Sequence, residues 1–211
     1  MEEVWEKLGA EGASDVQALL VGLYSQPCRK YHNLHHIDDC LRELNEFKVR
    51  TSLLSDADLD EITIAIWFHD SIYDPKAHHN EEESACLFER LAEGMDPGAR
   101  ERIRSIILAT KDHRSSCNSL QEHVLLDLDL TILGKPQKEF NEYDMAIRME
   151  YEWVPESVFC DKRAAMLRLF LERDRIFKTD YFHTKYDSSC RSNLERAIAG
   201  LGSVSLNRIE P

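Results

Sequence analysis

Apolar residues return every three or four positions along almost the whole chain, and no stretch sustains the alternation of apolar and polar side chains that a half-buried strand requires. That periodicity predicts an all-α architecture. With 8 Gly and 6 Pro in 211 residues, and 43% hydrophobic content, breaks are few and one sizeable core can be buried, so a single domain over residues 1–211 is expected. Helices are expected near residues 2–8, from an N-cap at Ser14 to about Ser25, from His36 onward, and from Asp56 or Asp58 through Trp67 into His69 and Asp70. Others are expected over 80–94, 97–110, 120–133, 137–152, 156–177 and 187–200, with Pro97, Pro136 and Pro155 near three of the starts, where a missing N–H is harmless.

Several of these apolar faces carry titratable side chains. His69 shares its face with Ile62, Ala65 and Ile66; Asp129 lies with Leu125, Leu126, Ile132 and Leu133; His36 runs into Cys40, Leu44 and Phe47. An unpaired buried carboxylate costs several kcal/mol or gives up its charge, whereas imidazoles and carboxylates converging on a divalent cation satisfy one another through it. His36, the adjacent pair His69 and Asp70, and Asp129 are therefore candidate metal ligands. Rivals exist at each end: His32 and His35 share the loop before His36, and Asp127 stands about 200° round the helix from Asp129, so only one of that pair can face a given centre. The bland reading of His69–Asp70 is a polar C-terminal turn that supports the helix dipole.

The strings YHNLHHI at 31–37, WFHDSIYD at 67–74, NEEESA at 80–85 and DLDLTILG at 127–134 set a distant His, an adjacent His-Asp and a final Asp in order along the chain. That order resembles the HD superfamily of metal-dependent phosphohydrolases, and the strings themselves resemble its subgroup of predicted metal-dependent HD phosphohydrolases. The similarity runs over roughly residues 25–195, through the Arg148-Met149-Glu150-Tyr151 region. It implies a single HD-type helical bundle with additional C-terminal helices, and a metal site of His36, His69, Asp70 and Asp129. Helical phase and the resemblance together favour His36 over His32 and His35, and Asp129 over Asp127.

A mixed nitrogen and oxygen ligand set suits Mn, Fe, Co, Ni or Zn better than Ca, with Mg also admissible, and one ion is expected. Water on such an ion loses a proton near neutral pH and can attack phosphorus. Candidate bases beside it are Asp70, Glu81 and Glu82; helical phase favours Glu81, and first-turn capping is the ordinary role of either glutamate. His113, one turn beyond Thr110, is a candidate to protonate a leaving group or bind phosphate. Arg29, Lys30 and Lys111 could border the mouth, His32 and Asn33 could meet substrate from the same loop, and Tyr143 and Arg148 could form a far wall. His78 and His79 read as an exposed loop, with a second metal as the sharper alternative.

Charge bounds the substrate class, which the resemblance leaves unnamed. A net charge of −13 disfavours duplex nucleic acid, whose affinity comes from Lys and Arg neutralising phosphates, and leaves a nucleotide or another small phosphorylated metabolite. The amino terminus lacks a secretory signal and no run approaches a membrane span, so no membrane association and a cytoplasmic location are expected. Six scattered cysteines without a CxxC pair read as reduced thiols. Two other functions stay open: an HD-fold regulatory module that binds nucleotide without turnover, and a di-iron HD-fold oxygenase drawing donors from His78, His79, His113 or His123. The chain carries no P-loop, no GxSxG elbow and no HExxH motif.

Overall fold

The structure is a computed structural model that describes residues 1–113 and 119–206, with side chains through residue 202. Among the described residues there are ten helices and no strand: α1 Glu2–Lys7, α2 Ala13–Tyr24, α3 Leu34–Thr51, α4 Asp56–Phe68, α5 Asn80–Leu91, α6 Pro97–Ala109, α7 Leu120–Gly134, α8 Gln137–Glu150, α9 Glu156–Leu171 and α10 Asp180–Leu206. No described helix is long and apolar enough to cross a membrane. The contacts divide the chain into two compact units, Met1–Asp129 and Leu130–Pro211.

In the first unit α4 is the axis, packing on α1, α3, α5 and α6. Its Ile62, Ile64, Ala65, Ile66 and Phe68 are all fully buried, so the helix buries most of its circumference rather than one stripe, leaving Asp56, Asp60 and Thr63 on the remaining face. A reciprocal cap starts it: Ser55 Oγ accepts from the Asp58 N–H at 3.2 Å, and Asp58 Oδ2 accepts from the Ser55 N–H at 2.9 Å. Buried Glu61 ties it to α6 through a two-nitrogen contact with Arg102, at 2.9 Å from Nε and 2.5 Å from Nη2. At its far end Trp5 from α1 stacks on Phe68 with ring centres 5.6 Å apart, and Phe88 from α5 meets Phe68 edge-on at 5.2 Å. Core packing therefore immobilises the residue immediately before His69.

In the second unit α9 packs along α10. The end of α7 is closed there by Asn193, whose amide donates to the Leu133 and Lys135 carbonyls at 2.9 and 2.8 Å. Gly134 lets Tyr186 approach so closely that a Cβ at this position would stand 2.6 Å from the tyrosine Cβ.

Several expected boundaries move, four of them for reasons visible in the contacts. Ser14 lies inside α2, which starts at Ala13 from Gly12, a residue in the left-handed region at φ +71°. The helix expected from His36 starts at Leu34, because Asn33 caps it by accepting the His35 N–H. The helix expected over 156–177 stops at Leu171, where Arg191 donates to the carbonyls of Leu171, Arg173 and Asp174 that further turns would have used. The last helix starts at Asp180 rather than 187, with Thr179 Oγ1 accepting from the Phe182 N–H at 3.4 Å. Cys28 and Cys86 are exposed thiols and Cys40, Cys160 and Cys190 buried ones, while Cys117 lies outside the described residues.

Candidate metal centre

His69 caps the C-terminal end of α4, and its backbone N–H still donates to Ala65 at 2.9 Å. Its Nδ1 stands 2.8 Å from the Ile66 carbonyl oxygen, one of the acceptors a helix end leaves without a backbone donor. A carbonyl only accepts, so Nδ1 carries the proton and the neutral ring's lone pair sits on Nε2. Across from it stands His36, set in the first turn of α3 by the Asn33 cap and buried beside Ile37 and Cys40. The two Nε2 atoms are 3.2 Å apart.

Two carboxylates close the group. Asp70 Oδ2 lies 3.1 Å from His69 Nε2 and 3.8 Å from His36 Nε2, while Asp129 Oδ1 lies 3.3 Å from His36 Nε2 and 3.8 Å from His69 Nε2. His36, His69 and Asp129 thus form a largely buried group able to hold a metal ion, with their ligand atoms all within 4.8 Å of one another. Ligands about 2.1 Å from a first-row ion stand about 3.0 Å apart at right angles and about 3.4 Å apart at the tetrahedral angle. The donor spacings of 3.1–3.8 Å match that range with slight contraction of the longest edges. The chemistry agrees with the spacing: two neutral imidazole lone pairs facing each other repel unless a cation or a proton lies between them.

Without a cation, a proton takes that role. Burial alone would lower the His69 imidazolium, but the carboxylates of Asp70 and Asp129 outweigh it and raise its pKa to about 9. Burial likewise disfavours the charged forms of Asp70 and Asp129, yet the neighbouring histidines hold both well below the usual carboxylate range. His69 with Asp70, and His36 and His113 with Asp129, are the principal partners.

Asp129 faces two ways, because its Oδ2 is 2.9 Å from His113 Nε2. His113 follows α6 with φ +48°, a left-handed conformation that few non-glycine residues adopt, and its N–H returns to the Thr110 carbonyl at 3.3 Å. The contact occupies one carboxylate oxygen and leaves Oδ1 for the histidine pair. Asp127 is fully buried on another side of α7, which separates it from its rival as the helical phase requires.

The remaining candidates are distributed unevenly. His32 stacks on Tyr73 with centres 4.2 Å apart, meets Tyr31 edge-on, and is close enough to Asp70 to help hold its proton off. Asn33 is committed to capping α3 and to the Lys30 carbonyl, and Lys30 and His35 are exposed. Lys111 pairs with Glu82, joining the first turn of α5 to the turn that carries His113, and Glu81 is half-buried beside Glu82. His78 and His79 are exposed, with His79 at the N-cap of α5. Tyr143 and Arg148 belong to the second unit, where Arg163 lies over the Tyr143 ring and Arg148 donates to the Tyr151 and Val154 carbonyls.

Arg29 is not placed at an open mouth: it is buried, and its guanidinium is spent on backbone carbonyls. Sequence reasoning set Cys40 on the face of His36 but gave it no place at the site, whereas its sulfur lies 3.9 Å from both ring nitrogens of His36. The i,i+4 spacing of these two residues was the available signal. Comparison of the chain with protein-family models, with curated proteins and with solved structures yields no match.

Proposed function

We propose that this chain is a metal-dependent phosphohydrolase of the HD type, which cleaves a phosphoester in a nucleotide or another small phosphorylated metabolite. The observation that carries the proposal is the facing pair of His36 and His69 Nε2 atoms, 3.2 Å apart and flanked by Asp70 and Asp129. His36, His69, Asp70 and Asp129 would hold one divalent transition ion. Such an ion, when bound, supplies Lewis acidity, lowering the pKa of water and offsetting charge on phosphoryl oxygens.

The protein's own groups do the rest. Ile66 fixes the His69 tautomer through Nδ1, so the ring presents its lone pair without having to reorient. His113 holds Asp129 by Oδ2 and, in this reading, passes a proton to a leaving oxygen. Asp70 or a glutamate of the pair Glu81 and Glu82 takes the proton of the attacking water. Lys111 and His32 supply positive charge and a ring face toward the phosphorylated substrate.

Metal-free protein reconstituted separately with Mn, Co, Fe, Ni, Zn and Mg should be assayed for phosphate release from nucleotides and sugar phosphates. Release that depends on the ion and disappears in His69→Ala supports the proposal. A filled metal site with no release from any substrate of the panel counts against hydrolysis and favours a nucleotide-binding module without turnover.

A further inference from the structure

Arg29 lies seven residues before His36, yet it reaches the chain that follows His69. Its Nη1 donates to the Asp70 carbonyl at 2.6 Å and to the His32 carbonyl at 3.2 Å, and its Nη2 donates to the Ser71 carbonyl at 2.8 Å. The guanidinium lies over the rings of Tyr24 and Tyr73, with its central carbon 5.0 and 5.6 Å from their centres. Its Nε–H has no hydrogen-bond partner among the described residues, and Ser71 Oγ, fully buried beside it, has none either.

An unsatisfied buried donor is costly, and here the Nε–H is left unpaired while both outer nitrogens are committed to carbonyls. Arg29 fans its two outer nitrogens over three loop carbonyls on either side of the centre: His32 before His36, and Asp70 and Ser71 after His69. Only a planar, forked donor can do this; an ammonium has one nitrogen to offer. Fixing the Asp70 carbonyl fixes the peptide plane that follows its Cα, from which the side chain carries the carboxylate that lies 3.1 Å from His69.

We infer that Arg29 is a positioning residue of the metal centre: by clamping the Asp70 and Ser71 carbonyls it sets the Asp70 carboxylate at ligand distance from the two histidines. The inference rests on the metal-binding part of the proposed function and is independent of which ester is cleaved. It also reassigns Arg29 from the rim of the site to its foundation.

The test is Co(II) affinity by calorimetry, with the Co(II) absorption spectrum and the unfolding midpoint of the metal-free protein recorded alongside. The proteins are wild type, Arg29→Lys, Arg29→Met, Asp70→Ala and the Arg29→Lys, Asp70→Ala double variant. Arg29→Met should lose about 10- to 100-fold in Co(II) affinity, the range for groups that orient ligands. Arg29→Lys should lose less and shift the Co(II) spectrum. In the Asp70→Ala background the lysine substitution should cost no further affinity, because the group it acts through is gone. A merely structural arginine would lower the metal-free midpoint and leave affinity and spectrum unchanged, and that result overturns the inference. Should Arg29→Met fail to fold, Arg29→Lys decides alone: affinity within twofold of wild type, or an equal loss with and without Asp70, overturns it. Wild-type protein that binds no Co(II) overturns the metal-binding reading itself, an outcome separate from equal binding by wild type and variants.

Discussion

His69 answers to two neighbours at once. Its Nδ1–H is taken by Ile66, so everything that happens at the centre happens at Nε2. In metal-free protein that nitrogen holds a proton with a pKa raised to about 9, and a metal must displace it. Affinity for Mn(II) or Co(II) should therefore fall about tenfold for each pH unit below about 9 and level off above it, which calorimetry at several pH values will register. The stability of the metal-free protein has the opposite slope. A folded-state pKa above the ordinary histidine value of 6.5 contributes stability that is complete below that value and lost as pH rises toward about 9. Asp70 and Asp129, held low, act only in strong acid, where protonation removes the stability their charges contribute. At this scale the sequence was a good guide wherever a charged residue interrupts an apolar face, since a helix cannot bury Asp129 or His69 without a partner. Arg29 was illegible for a physical reason: it binds backbone carbonyls, which every residue carries, so no spacing of side chains points to it.

The helices that bring the ligands together are held by their ends. Ser55 and Asp58 satisfy each other's backbone at the start of α4, and Ser55→Ala should destabilise the protein by about 1 kcal/mol in denaturant unfolding with an unchanged denaturant slope. Gly134 tolerates no side chain, because a Cβ there would stand 2.6 Å from Tyr186; Gly134→Ala should cost about 1–3 kcal/mol, measured the same way. The existence and order of the helices could be read from apolar period and from Pro97, Pro136 and Pro155. Their ends could be read only where the cap is local, as at Asp96 before α6. The stop at Leu171 depends on a guanidinium 20 residues away, and a one-dimensional pattern contains no sign of it. The face shared by His69, Ile62, Ala65 and Ile66 is only part of what α4 buries, because a helix packed against four others buries most of its circumference and its phase then says little about which side faces the candidate site.

The three tryptophans are divided between the two units. Trp5, fully buried, and the part-buried Trp67 belong to Met1–Asp129, while Trp153, half exposed, belongs to Leu130–Pro211. Helical content, by contrast, is present in both units. Denaturant unfolding should therefore give coincident fluorescence and circular-dichroism transitions if the units melt together, and an earlier or later fluorescence transition if they melt apart. We expect separation, and superimposable curves would refute it. The stack of Trp5 on Phe68 has a further use, because Phe68 adjoins His69 in the chain. A paramagnetic ion such as Co(II) quenches nearby indole emission, so the centre comes with its own optical gauge. Loss of tryptophan emission on adding Co(II) would report, without any added label, how full such a site is.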